Sequence, residues 1–254
     1  EILEVAAPTI NPAASDGMGF GLVVDGRALP DDPFVLMSAR KIADVPLLIG
    51  TAADEGTIFV AASPHTQSVA AYRAFVRSVF VTESDRVLER YAPASDEDVK
   101  GTLAALLADS LFVAPARSFV RARASGATAK AYMYQFTRVS PGAKTFGIGA
   151  YHGSELRYVF DNTTGSSSMG LVKADHALAK VMAGAWVRFA KTGDPNGEGL
   201  VEWPAYTAEN DAHLELGDTV RVSSGLRKAE CDFFETVWTN LRVPAARKVA
   251  KRWF

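Results

Sequence analysis

A carboxylate and a histidine, each beyond a short apolar run, are the residues of this chain best suited to chemistry. The first lies in Gly50-Thr51-Ala52-Ala53-Asp54-Glu55-Gly56 and the second in Tyr151-His152-Gly153-Ser154-Glu155. In acyl transfer a histidine takes the proton of a hydroxyl nucleophile and returns it to the leaving group. A carboxylate holds that imidazole in the right tautomer and stabilises its charged form. The order along the chain, acid then histidine, calls for a nucleophile ahead of both. No Gly-x-Ser-x-Gly string occurs in the sequence. The nearest, Ser166-Ser167-Ser168-Met169-Gly170, lacks the first glycine, follows the histidine and has no strand before it, so it reads as a loop. The nucleophile is therefore expected upstream of Glu1, and a chain opening on Glu1-Ile2-Leu3-Glu4-Val5 is expected to be a portion of something longer.

Other readings stand beside these. An Asp-Glu pair ahead of a helix commonly caps it or complements its dipole, which is the alternative for Asp54 and Glu55. Glu155, close behind His152, is a second candidate acid. Tyr151 and Phe146 are candidates both for lining a pocket near His152 and for core packing. His65, His176 and His213 have no motif around them, and His176, near a helix start, reads as solvated. No His-Glu-x-x-His or similar metal spacing is present, so neither a metal nor an organic cofactor is expected.

The elements that must position these residues read as follows. Pro46-Leu47-Leu48-Ile49-Gly50 is an apolar run bounded by punctuating residues, as in a strand buried on both faces. Ala131 to Phe136 reads as a second strand and His213 to Gly217 as a short third. Phe34 to Ala43 reads as a short helix. Val69, Tyr72, Phe75, Val76, Val79 and Phe80 fall on one helical stripe, and Ser95 with Asp98 marks a helix start leading to Leu103, Leu106 and Leu107. The helical pattern resumes from Phe112 to Ala124. Residues 175–191 carry Leu178, Val181, Met182, Ala185, Trp186 and Phe189 on one face, and 227–241 form a last helix around Cys231, Phe234, Val237, Trp238 and Leu241. Strands separated by long helical stretches predict an α/β architecture with a largely parallel sheet. So few strands would leave an apolar sheet edge uncovered, an aggregation hazard, which again points to a further portion. Working residues just past the carboxyl ends of strands suit such a sheet.

The 254 residues suffice for one large domain. A net charge of −2 provides no global field for nucleic acid. The single cysteine, Cys231, excludes an internal disulfide framework. No apolar run reaches the roughly 18 residues of a membrane span. The tail Arg242 to Phe254 interleaves basic and apolar residues, a pattern that can lie on an anionic membrane but more commonly belongs to a solvated terminal helix.

The residues also resemble a known family, the type B carboxylesterases, which include para-nitrobenzyl-type esterases, cholinesterases and fungal lipases. Val23-Val24-Asp25-Gly26 through Pro30 resembles the family's VVDG…LP segment, and Pro46 to Phe59 its PLLIGT…DEGTLF segment. Ala150 to Asn162 is similar to AFHGSELPYVFGN, Trp186 to Tyr206 to WANFARTGDPN…WPAY, and Cys231-Asp232-Phe233-Phe234 to CDFW. The segments are collinear and cover nearly the whole chain; Arg157 departs from them, standing where the family often has proline.

The resemblance implies the C-terminal portion of a single α/β-hydrolase domain over residues 1–254, with the sheet completed by an N-terminal half. It implies a serine carboxylesterase with Glu55 as acid and His152 as base, Glu155 and Gly153 as supports around them, and a small-molecule ester as substrate. The Gly-x-Ser-x-Gly serine and the oxyanion hole would come from the N-terminal half. The alternative is a non-catalytic, cholinesterase-like binding or adhesion module on the same fold.

Overall fold

The computed structural model describes residues 24–241 apart from 62, 127 and 164–169. The Ala-, Gly- and Pro-rich opening stretch, Ser166 to Ser168 and the basic tail from Arg242 lie outside the described residues.

A four-stranded sheet organises the chain. Strand β1 (Leu47–Ala52) pairs in parallel with β2 (Ala131–Phe136), in the register Leu47↔Ala131 to Ala52↔Phe136. Strand β2 pairs in parallel with β3 (Ala212–Leu216), which pairs antiparallel with β4 (Val220–Ser224). Successive side chains alternate faces. Leu47, Ile49, Ala131 and Met133 enter one apolar core, with Leu103, Leu106, Phe234 and Trp238. Leu48, Ala52, Tyr132 and Phe136 enter the other, with Leu178, Met182 and Trp203. Helices thus cover both faces, the layering expected of a parallel sheet.

The first layer contains α1 (Pro33–Ser38), α2 (Val69–Phe80), α3 (Ser84–Arg90), α4 (Val99–Leu107) and α5 (Ala114–Ala124). After β2 come α6 (Pro141–Phe146), α7 (Leu156–Val159) and α8 (Lys173–Thr192), and α9 (Lys228–Leu241) closes the described chain. Helix α1 is shorter than the expected Phe34 to Ala43, because Arg40 takes a left-handed φ of 56° that no α-helix accommodates.

Strand β4 is an addition to the strands read from the sequence. Its Val-Arg-Val-Ser-Ser composition is polar and mostly exposed, as suits a sheet edge, and Arg221 reaches across to Glu215 at 2.8 Å. It covers the flank of β3. The flank of β1 away from β2 has no strand on it among the described residues.

Helices α4 and α5 are joined by a π-helical segment, Ala108–Val113. The result is one helical run, Val99–Ala124, with a mean hydropathy of 1.5 over its most apolar window. By length and composition it could cross a membrane, which corrects the expectation that no stretch reaches that size. Its apolarity is used internally, since 61% of that window is buried. Two of its buried charged side chains are also paired within the chain. Asp109 takes bonds from Tyr91 and Arg227, and Arg117 pairs with Asp211 and the Leu226 carbonyl.

Candidate active site

Glu55 and His152 come together at the carboxyl ends of β1 and β2. His152 Nδ1 lies 2.6 Å from Glu55 Oε2. Glu55 Oε1 accepts the Ala52 N–H at 2.7 Å, so the strand end fixes the carboxylate. The Glu55 side chain is 5% exposed and that of His152 is 45% exposed. The pair is therefore a buried carboxylate holding one edge of an imidazole whose other edge reaches the surface. Burial pushes the Glu55 carboxyl above its ordinary range, opposed by the Ala52 N–H and His152. No helix directly follows the Asp54-Glu55 pair, since residues 55–59 form turns, and the capping alternative does not apply.

Local rules explain how the two residues meet. The chain leaves β2 and winds α6, which Ser140 caps through its bond from Ala143 N, with Pro141 at the first helical position. Gly147 ends it with a left-handed φ of 65°. The following residues return beside the exit of β1, where Asp54 N donates to Ala150 O at 3.0 Å and a parallel bridge joins Asp54 to Tyr151. Asp54 Oδ2 accepts the Ala150 N–H at 2.8 Å, and Thr57 Oγ1 donates to Ile148 O at 2.7 Å. On the other side, Gly56 sits flush against α4. A Cβ there would overlap the Ala104 carbonyl.

The imidazole of His152 is flanked by aromatic rings. Phe112, on the π-helical segment, lies 4.7 Å from it between centroids, and Phe59 lies 5.3 Å away. The two phenyl rings stack on each other at 5.7 Å. Neither was singled out in the sequence; only the proximity of Phe59 to Glu55 hinted at it, and Phe112 is distant in the chain. Phe146, a sequence candidate for this pocket, is 61% exposed, and the ring contacts of His152 are made by Phe59 and Phe112 instead.

Gly153 takes a φ of 79° directly after His152, a turn that suits glycine. Glu155 does not hydrogen-bond His152. Its backbone carbonyl accepts from Tyr158 N and Val159 N at the start of α7, and its buried Oε2 has no partner among the described residues. Its charge adds a minor upward push on Glu55. Tyr134 of β2 is pushed above the usual phenol range by burial and, secondarily, by Glu155 and Glu55.

The other histidines lie elsewhere. His65 stacks on Phe75 at 4.6 Å. His176 is half-buried with Nδ1 2.8 Å from Thr163 Oγ1, rather than solvated as expected. His213 is buried in β3, and burial lowers its pKa. Among the described residues no cluster of His, Cys, Asp or Glu could hold a metal ion. A cavity of about 410 Å³ lies between α1, α5 and α9, and neither Glu55 nor His152 lines it.

The chain has relatives among known proteins. The chain is 29% identical over 239 residues to carboxylesterase 5A of Felis catus, covering 87% of this chain and 43% of that protein. It is 34% identical over 216 residues to fumonisin B1 esterase of Sphingopyxis macrogoltabida, covering 81% and 38%. With para-nitrobenzyl esterase of Bacillus subtilis it shares 26% identity over 209 residues, covering 81% and 41%. The chain thus spans less than half the length of these curated relatives. The profile of the carboxylesterase family matches residues 1–234, and the chain belongs to that family.

Proposed function

We propose that Glu55 and His152 are the acid and base of a serine carboxylesterase, and that residues 1–254 form the C-terminal portion of its single α/β-hydrolase domain. The supporting observation is the 2.6 Å contact between His152 Nδ1 and a buried carboxylate, with the opposite imidazole edge at the surface. In this reading Nδ1–H donates to Glu55, which leaves Nε2 as the proton acceptor. A serine in a Gly-x-Ser-x-Gly elbow, on the N-terminal half, gives its proton to Nε2 as its oxygen attacks the ester carbonyl. The tetrahedral intermediate collapses with the C–O bond to the alcohol breaking, and His152 returns the proton to that alcohol. Water, deprotonated by the same nitrogen, then releases the acid from the acyl-enzyme. The oxyanion hole also belongs to the N-terminal half.

The names of the relatives, carboxylesterases, an esterase of fumonisin B1 and bile salt-activated lipases, have the ester bond in common. A small-molecule carboxylic ester is the substrate class. The test is a fluorophosphonate probe with the intact protein that carries this chain. Labelling of a serine, lost together with ester turnover in His152→Ala, is the expected result. A properly folded protein that takes no label would favour the non-catalytic binding module, and near-normal turnover by His152→Ala would remove His152 from the mechanism.

A further inference from the structure

We infer that Asp54 is a positioning residue for the Glu55–His152 pair, acting through the backbone of the histidine loop rather than on the imidazole. The inference rests on the proposed roles of Glu55 and His152.

The two members of the pair sit on separate segments, Glu55 on the exit of β1 and His152 on the return from α6. A contact of 2.6 Å between them requires the two backbones to be registered to a fraction of an ångström. Glu55 does not supply this register to the backbone, because one of its oxygens is held by Ala52 N and the other meets only the imidazole of His152.

Asp54 does supply it. Its N–H donates to the Ala150 carbonyl at 3.0 Å, and its Oδ2 accepts the Ala150 N–H at 2.8 Å. Both backbone groups of one residue are therefore gripped by a single residue of the acid loop. Thr57, at the other end of the same turn, holds its hydroxyl 2.7 Å from Ile148 O and 2.9 Å from Asp54 O, its one proton shared between the two carbonyls. The grip spans Ile148 to Ala150, just ahead of His152.

Gly149 gives independent support. It has a φ of 65°, and a Cβ at that position would overlap the Asp54 carboxylate. The absent side chain is thus the space the carboxylate occupies. Left-handed conformation alone would tolerate asparagine or aspartate; the carboxylate packed against the glycine does not.

Asp54→Asn and Asp54→Ala separate this role from a general structural one. An asparagine retains an oxygen that can accept the Ala150 N–H, whereas alanine does not. In the intact protein, Asp54→Ala is expected to lower kcat roughly 10- to 100-fold with KM within about twofold, the scale that misplacing a catalytic group by about 1 Å produces. Asp54→Asn is expected to restore kcat to within about threefold of wild type. Gly149→Ala, which displaces the carboxylate, should behave as Asp54→Ala does. A readout that does not depend on turnover is the proton NMR signal of His152 Nδ1–H. It should be far downfield in wild type and in Asp54→Asn, and broadened or lost in Asp54→Ala.

Wild-type kcat and an unchanged Nδ1–H signal in Asp54→Ala would overturn the inference, as would equal losses in the alanine and asparagine variants. Glu55→Gln and His152→Ala in the same assay distinguish the failures. If both are inactive while Asp54→Ala is normal, only the positioning role falls. If both turn over normally, the proposed acid and base fall, and the positioning role with them.

Discussion

Glu55→Gln replaces one oxygen with an amino group at nearly constant volume, and the hydrogen bonds dictate the outcome. The Ala52 N–H can only donate, so the amide oxygen must take the place of Oε1. The amide NH2 then faces His152 Nδ1 where Oε2 stood. Nδ1 is forced to accept, the ring proton moves to Nε2, and the nitrogen that should receive the serine proton is already protonated. A second loss is electrostatic. An imidazolium and a carboxylate about 4 Å apart at an effective dielectric of about 20 attract by about 4 kcal/mol. With the His152 side chain 45% exposed, screening reduces this to about 3 kcal/mol, roughly a hundredfold in rate. Together with the wrong tautomer, the loss in kcat should be about 10³- to 10⁴-fold, comparable to acid-to-amide changes in serine protease triads.

The assay is steady-state hydrolysis of a para-nitrophenyl ester by the intact protein, read by absorbance, with thermal unfolding in parallel. Burial raises the Glu55 carboxyl, with Ala52 and His152 opposing, so the folded state binds the proton more tightly than the unfolded state. Stability from this group therefore falls as pH rises from the ordinary glutamate value to the raised one, and the penalty is fully present above. Glu55→Gln should accordingly unfold at or above the wild-type temperature at neutral pH, with the difference vanishing below the ordinary glutamate range. Retention of kcat within about tenfold of wild type would refute the tautomer argument. A midpoint lowered by many degrees would refute the claim that the loss is chemical.

Gly56→Ala should drive a Cβ into the Ala104 carbonyl, destabilise the protein by about 1–3 kcal/mol in chemical denaturation and lower kcat by displacing Glu55. Arg138→Ala leaves Asp175, which is wholly buried, without the guanidinium bound at 2.7 Å, and should cost about 3–5 kcal/mol. Burial pushes the Asp175 carboxyl up, but Arg138, the Val172 N–H and Tyr158 outweigh it and hold it below its ordinary range. Its stabilisation is present above the ordinary aspartate value and lost as pH falls through the lower folded one, so Arg138→Ala should shift acid unfolding to higher pH. Cys231 is fully buried, and burial pushes its thiol up to about 12; a thiol reagent should label it only after unfolding, and rapid labelling of the native protein would contradict this packing.

What could be read in the sequence was what local pattern controls. The apolar runs at Pro46 to Gly50 and Ala131 to Phe136, and the stripe from Leu178 to Phe189, announce buried strands and a buried helix face because burial dictates their composition. Strand β4 was missed because an edge strand buries little, and its Val-Arg-Val-Ser-Ser alternation has no core to answer to. Glu55 and His152 were legible as a motif pair, while Phe112 was not, because its approach to His152 depends on how the π-helical segment is wound. The part Asp54 plays beside them is not legible. Its bond to Ala150 N depends on the path the chain takes back from α6, which nothing near Asp54 in sequence encodes.

The π-helical segment Ala108–Val113 also marks where this chain can vary in length. Removing one residue there would let the helix relax to regular α geometry, locally a gain. It would leave the faces of α4 and α5 nearly in phase, because six residues bonded i→i+5 and five bonded i→i+4 complete about the same turn of helix. Arg117, Arg121 and Arg123 downstream would keep Asp211, Glu235 and Asp44. What the gap would alter is the wide turn that carries Phe112 against His152. An alignment of related sequences should therefore admit single-residue gaps across 108–113 where the ring beside the histidine is not kept: the extra residue serves the wall around the imidazole, not the helix.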